Sequence, residues 1–230
     1  MIAVPAASVH RLPDHVEFAQ AVVLPTYVVA YAMLFGLDIA PRAQCIFVTG
    51  AAGAVASAIA DLARAHGIRV IGSVSTPQKA AFAQSMGVRD IIYRSENLPA
   101  RVMELTGGRG VDASFDHVIG PGFKDCVRML AEFGTAVAYN VYSPMPDTDI
   151  FAELRQLSKR SLGVRVFNMH SYDANQPALR QITGAVIQLL ADRKITPRVG
   201  IQLPMEQVAD AHRLLESGQI LGKVVLTAGH

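Results

Sequence analysis

The sequence predicts an α/β fold, a doubly wound and mostly parallel sheet with helices on both faces. Three observations carry that expectation. Short apolar runs rich in strand formers alternate with stretches of helical periodicity through the middle of the chain. A strand, a small-residue turn, a helix and a second strand follow one another within about 30 residues, the size of one βαβ unit. The composition, 51% hydrophobic and 17% charged over 230 residues with a mean hydropathy of +0.29, can bury a sizeable core and argues against disorder.

The elements follow one another along the chain. Residues 1–9 read as a short strand or extended segment, and Leu12-Pro13-Asp14 as a turn. Over 17–37 the apolar residues recur at helical intervals, with Pro25 dividing two helical pieces and Pro41 closing the region. Residues 44–49 (QCIFVT) form the first buried strand, 50–57 (GAAGAVAS) a small-residue turn, and 58–66 a helix closed by Gly67. A second strand follows at 70–74, a helix at 77–86, and a third strand at 90–93 (DIIY). A helix at 99–105 ends at Gly107-Gly108, before a fourth strand at 111–116 (VDASFD). Then come a helix at 122–130, a fifth strand at 135–139, a helical stretch at 150–161 and a sixth strand at 163–167. The tail reads as a helix at 178–192, a strand at 199–203, a helix at 205–216 and a last strand at 223–227.

Composition also excludes partners. A formal net charge of +2 with scattered basic residues gives no phosphate-tracking surface, so nucleic acid is not expected. Cys45 and Cys126 are far apart and lack C-x-x-C spacing, which fits a reducing compartment rather than disulfides or structural zinc. The longest apolar run, 19–37, is interrupted by Gln20, Pro25, Thr26 and Gly36, so no membrane span is expected. The N-terminus lacks the pattern of a secretory signal, and a soluble cytoplasmic protein is the expectation. Zincin, serine-hydrolase and P-loop motifs do not occur.

The turn after the first strand is the most informative stretch. In a doubly wound sheet, ligands bind beyond the C-terminal strand ends, and a dinucleotide pyrophosphate needs small residues there. In Ala51-Ala52-Gly53-Ala54-Val55-Ala56 only the middle glycine of a G-x-G-x-x-G pattern is kept, although the strand–turn–helix context is right. A tight turn packed without a ligand is the other reading. Beyond the second strand stand Ser73, Ser75, Thr76 and Lys79, with no carboxylate to hold a ribose 2′-OH. Hydroxyls and a lysine suit a 2′-phosphate, which favours NADP(H) over NAD(H) if a dinucleotide binds.

Several segments together resemble a known family. VPAASVHRLPDHVEFAQAVVLP, VTGAAGAVASAIADLARAHG, SVSTPQKAAFAQSMG, LTGGRGVDASFDHV and AHRLLESGQILGKVVL look like the medium-chain dehydrogenase/reductase superfamily, in its zinc-independent, zeta-crystallin-like quinone oxidoreductase branch. The match runs over nearly the whole chain. It implies a Rossmann domain at 39–198, an N-terminal remnant with connecting helices at 1–38, and a C-terminal return segment at 199–230. Most of the GroES-like catalytic domain of such enzymes has no counterpart here.

The resemblance assigns roles by position. Gly53, Ala54 and Val55 would face the pyrophosphate, and Ser75, Lys79 and Tyr93 the 2′-phosphate. The backbone of Phe167 and Asn168 would meet the nicotinamide amide, and Gly222 and Lys223 match a closing G-K near the cofactor. Asn140, also placed at the cofactor, stands where relatives often carry glycine. Further departures are Ala54 and Ala56 in the turn, and Val28-Val29-Ala30 where a threonine often lies near the nicotinamide.

Other residues offer further chemistry. Asp112 and Asp116 lie four apart on one strand face, as an acid–base pair or as structural carboxylates. His117 and His170 follow the fourth and sixth strands, on the ligand side, as proton carriers or as ordinary histidines. Tyr139 and Tyr142 flank the fifth strand's end, lining a cleft or packing. Cys126 reads as buried packing. The expectation is an NADPH-dependent oxidoreductase passing hydride to a quinone or an activated C=C of a small apolar substrate, self-associating as a dimer. The alternative is a cofactor-free descendant that uses the old cleft for a non-redox cyclisation or isomerisation, or serves as a binding or scaffold protein.

Overall fold

The structure, a computed structural model, describes residues 3–4, 9–140 and 144–228. The expected segment over 1–9 falls mostly outside them, and residues 3, 4 and 9 carry no regular structure. Helices α1 (Phe18–Ala21) and α2 (Leu24–Tyr31) follow, and a π-turn over Ala32–Gly36 extends α2. Pro25 sits in the first turn of α2, where its missing N–H costs nothing, so the break falls just before it, at Val22-Val23.

The main sheet holds β1 (Cys45–Val48), β2 (Arg69–Val74), β3 (Asp90–Tyr93), β4 (Val111–Asp116), β5 (Leu130–Ala138) and β6 (Gly163–Val166). Between them run α3 (Ala54–Ala65), α4 (Pro77–Ser85), α5 (Leu98–Leu105), α6 (Phe123–Arg128) and α7 (Ile150–Gln156). All pairings are parallel, in the order β3-β2-β1-β4-β5-β6. This is the doubly wound dinucleotide-binding order, whose switch point lies between β1 and β4. Helix α8 (Gln176–Ala191) leads to β7 (Val199–Pro204), then α9 (Val208–Ser217) and β8 (Lys223–Thr227). Strands β7 and β8 pair as a separate two-stranded parallel sheet.

Alternation on the strands builds the two cores. Ile46 and Val48 of β1 face a cluster with α2, α3 and α8, while Cys45 and Phe47 face a second cluster with Val102, Phe123 and Val127. No helix among the described residues is long and apolar enough to cross a membrane.

Two elements start well before their expected positions. The helix predicted at 58–66 begins at Ala54, because the chain turns fully within Gly50–Gly53 and Ser57 N–H already donates to Gly53 O at 2.8 Å. Strand β5 begins at Leu130 rather than 135. Its ladder with β4 is interrupted by a bulge, where Phe133 takes φ +61°, and that irregularity reads locally as a loop.

Candidate functional site

The C-terminal edge of the sheet is organised by one carboxylate. Asp116, 2% exposed at the end of β4, accepts hydrogen bonds from Thr49 Oγ1 (2.6 Å), Val118 N–H (2.9 Å) and Ile119 N–H (3.0 Å). It ties the ends of β1 and β4 together and shapes the following loop. Asp112, near the other end of β4, accepts from Gln44 and Cys45 N–H at 2.8 and 2.9 Å and pairs with Arg109. The two carboxylates therefore serve opposite edges of the sheet as structural ties.

Beside this tie lies the small-residue turn. Gly50 adopts φ +55°, and a Cβ there would come within 2.7 Å of His117 Cε1, so glycine is required twice over. Ala51 N–H donates to Ser73 O (2.8 Å), holding the turn onto β2. Gly53, whose N–H closes on Gly50 O at 2.7 Å, is the N-cap of α3. No side chain caps this helix and its first turn carries no acidic residue. Ala54 is exposed, Val55 half-buried and Ala56 buried. A twelve-residue helix thus presents its first N–H groups and positive dipole end toward the sheet's ligand side.

The next corner gathers three predicted residues. Ser75 is exposed just past β2. Thr76 caps α4, its Oγ1 accepting the Lys79 N–H at 3.3 Å, which puts Lys79 in the first turn. Tyr93 pairs in register with Val74 across the β2–β3 ladder, bringing it to the same edge. Arg94, which sequence reasoning missed, donates its N–H to Val74 O (2.9 Å) and stands beside the end of β2. Its signal was available: the residue after a third strand lies next to the second strand's end once the two are parallel neighbours. Glu96 is the nearby acid, but its carboxylate accepts the Tyr93 N–H (2.6 Å) and pairs with Arg101 (3.2 Å).

At the switch point, His117 lies against Gly50, with Nδ1 3.5 Å from Tyr139 Oη. Burial lowers its pKa below the ordinary value; the Asp116 charge opposes this shift and the Arg94 charge reinforces it. Burial also pushes the Tyr139 phenol up, with Asp116 adding to the effect. Asn140 donates from Nδ2 to His117 O at 3.1 Å. Tyr142 lies outside the described residues.

Phe167 is buried, and its N–H donates to Ala138 O at 2.8 Å, continuing the β5–β6 ladder. Asn168 accepts the His170 N–H on Oδ1 (3.0 Å) and the Ser171 hydroxyl on its carbonyl (2.8 Å). Two of the four backbone groups here are therefore already used, leaving the Phe167 carbonyl and the Asn168 N–H. His170 is exposed and pairs with Asp173 at 3.0 Å. Next to Asn168 opens a groove of about 580 Å³ between α2 and α8, which Val29 and Met169 help to line.

Lys223 is brought to the turn by the return strands. With Gly222, Arg198, Tyr27, Ala54 and Ser57 it lines a narrow crevice against the start of α3. The Lys223 N–H donates to Arg198 O (3.0 Å), so the two cations start adjacent strands. Arg198 was also missed, being a lone arginine before a strand with no motif around it.

Both cysteines are buried. Burial pushes the Cys45 thiol up to about 11 and raises Cys126 well above its ordinary range. Among the described residues no three His, Cys, Asp or Glu side chains come together as a metal site.

Comparison with known proteins agrees with this architecture. A family model described as zinc-binding dehydrogenase matches residues 54–184. A highly reducing polyketide synthase of Didymella fabae is 29% identical over 224 residues, covering 95% of this chain and 12% of that protein. The chain thus spans about an eighth of that relative's length. Among solved structures, a quinone oxidoreductase of Pseudomonas syringae pv. Tomato DC3000 superposes with a TM-score of 0.85 at 27% identity, over 97% of this chain and 69% of that one. The Escherichia coli quinone oxidoreductase complexed with NADPH gives a TM-score of 0.84 at 26% identity, over 96% and 68%.

Proposed function

The chain belongs to the zinc-binding dehydrogenase family, and from that premise we propose that it is an NADPH-dependent oxidoreductase acting on a quinone or an activated C=C of a small apolar molecule. The observation that carries this reading is the uncapped start of α3 behind Gly53, beside a corner holding Ser75, Lys79, Tyr93 and Arg94. The turn fits a pyrophosphate: no side chain caps α3, its first turn carries no acidic residue, and Gly53 closes the turn with its Cβ position 3.1 Å from Gly50 O. Zinc has no donor set among the described residues, and no step is assigned to it. The NADPH complex of the Escherichia coli relative supports the choice of cofactor.

In this reading the N–H groups of Ala54 and Val55 bind the pyrophosphate, while Ser75, Lys79, Tyr93 and Arg94 hold the 2′-phosphate by hydrogen bonds and charge. The Phe167 carbonyl and Asn168 N–H orient the nicotinamide amide, and Asn140 and Lys223 border the site. When bound, NADPH supplies the hydride. His117, whose pKa burial lowers, stands at this edge as a group able to give or take a proton. Residues 39–198 form the dinucleotide-binding unit of this proposal, with 1–38 and 199–230 flanking it as connecting and return segments.

A second reading, a cofactor-free descendant, is favoured by the exposed Ala54 methyl at the first helical position, where it crowds an approaching phosphate. Calorimetric titration with NADPH and NADH separates the two. We expect NADPH to bind at least tenfold more tightly than NADH, and Lys79→Ala to erase most of that preference. Binding of neither nucleotide would overturn the oxidoreductase reading in favour of the second.

A further inference from the structure

The groove between α2 and α8 has the shape of a slot. His15 Nε2 lies 3.1 Å from Ala191 O, at the C-terminal end of α8, whereas the π-turn after α2 meets Tyr172 and the first turns of α8. The two helices are therefore antiparallel. On α8 the lining runs from Gln176 to Ile187, which at 1.5 Å per residue is about 16 Å. Its walls are mainly apolar, from Leu24, Val28 and Val29 on one helix and Leu179 and Ile187 on the other, with His10, Arg180 and Thr183 as polar lining along its length. Leu12 lines it too, in a strap that Arg180 holds across α8 by donating to Val9 O at 3.3 Å. A volume of about 580 Å³ lies within the range of small-molecule sites.

The two ends differ. One, at Val29 and Met169, adjoins Asn168 and carries the polar side chains of Asp173 and Gln176. The other, at Ala21, Leu24 and Ile187, is apolar. We propose that this slot binds the tail of a straight-chain acyl substrate, with its functional carbon at the Val29–Met169 end and its alkyl end toward Ile187. The inference rests on the reading above, which places the nicotinamide at Asn168. It adds that the substrate is an extended acyl chain rather than a compact quinone. An elongated apolar slot gains with every methylene that it desolvates, whereas a compact ring fills one end only.

The test uses saturated acyl N-acetylcysteamine thioesters from butyryl to dodecanoyl, titrated into the protein by calorimetry without nucleotide. Affinity should rise about threefold to fourfold per added methylene until the slot is full. Ile187→Trp and Ala21→Phe, which fill the apolar end, should weaken decanoyl binding at least tenfold and leave butyryl binding unchanged. Retained butyryl binding shows that the variants are folded. Affinity independent of chain length overturns the proposal. So does a change in self-association on sedimentation without a change in chain-length preference, since the groove would then be a protein contact. An NADPH titration on the same preparation reports on the oxidoreductase reading separately.

Discussion

His117 is half-buried at the switch point. Its imidazole lies on the small-residue turn, beside Tyr139 and within reach of the Arg94 charge. Because burial depresses its pKa in the folded state, the unfolded chain binds the extra proton first on acidification. Its contribution to stability is full above about pH 6.5, the unfolded value, and is lost as pH falls below that toward the folded pKa. Urea midpoints measured between pH 8 and pH 5 should fall on the acid side in the wild type. His117→Asn should flatten part of that slope, and an unchanged slope would show that the proton is taken up elsewhere.

Among the elements, the junction of α2, α3 and the segment before β7 depends on Asp61. It is 2% exposed and accepts from Tyr27 Oη (2.9 Å), Thr196 N–H (2.7 Å) and Arg64 (2.6 Å). Burial first, and the adjacent Asp61 second, keep the Tyr27 hydroxyl protonated so that it donates throughout the accessible pH range. Asp61→Ala leaves Tyr27 Oη and Thr196 N–H without their acceptor, while Arg64 keeps its bond to Lys194 O, and should cost about 3 kcal/mol in urea unfolding. Adding Tyr27→Phe to that variant should restore about 1 kcal/mol, because one of the orphaned donors is then gone. Additive losses in the double mutant would mean that the hydroxyl contributes nothing through Asp61.

For the whole molecule, the sheet order leaves β6 at an edge, with Val166 75% exposed and Phe151 of the preceding helix 71% exposed. An open parallel edge flanked by apolar side chains is a template for a second copy. Sedimentation velocity should show a dimer, and Val166→Lys should shift it to monomer while the thermal midpoint of the monomer holds. A wild type that stays monomeric at high micromolar concentration would place the exposed apolar residues outside any self-contact. Exposed Phe18 and Val22 on and just after α1 form a second apolar spot.

The alternation of strands and helices, the parallel sheet and the small-residue turn were legible in the sequence because each rests on local patterning. Period-2 and period-3.6 burial, and a turn that only small side chains allow, involve residues a few positions apart. Ser75 and Lys79 were legible as following the second strand, whereas Tyr93 was joined to them only by the family resemblance. Tertiary structure alone decided that Asp116 is spent on tying β1 to β4, that Arg94 stands beside the end of β2 and Arg198 beside Lys223 near the start of α3, and that α2 and α8 enclose a slot. Those outcomes depend on contacts between distant residues, such as Asp61 with Thr196, 135 positions apart, and His15 with Ala191, 176 apart. Such pairings are selected by the packing of the whole core, which no local window contains.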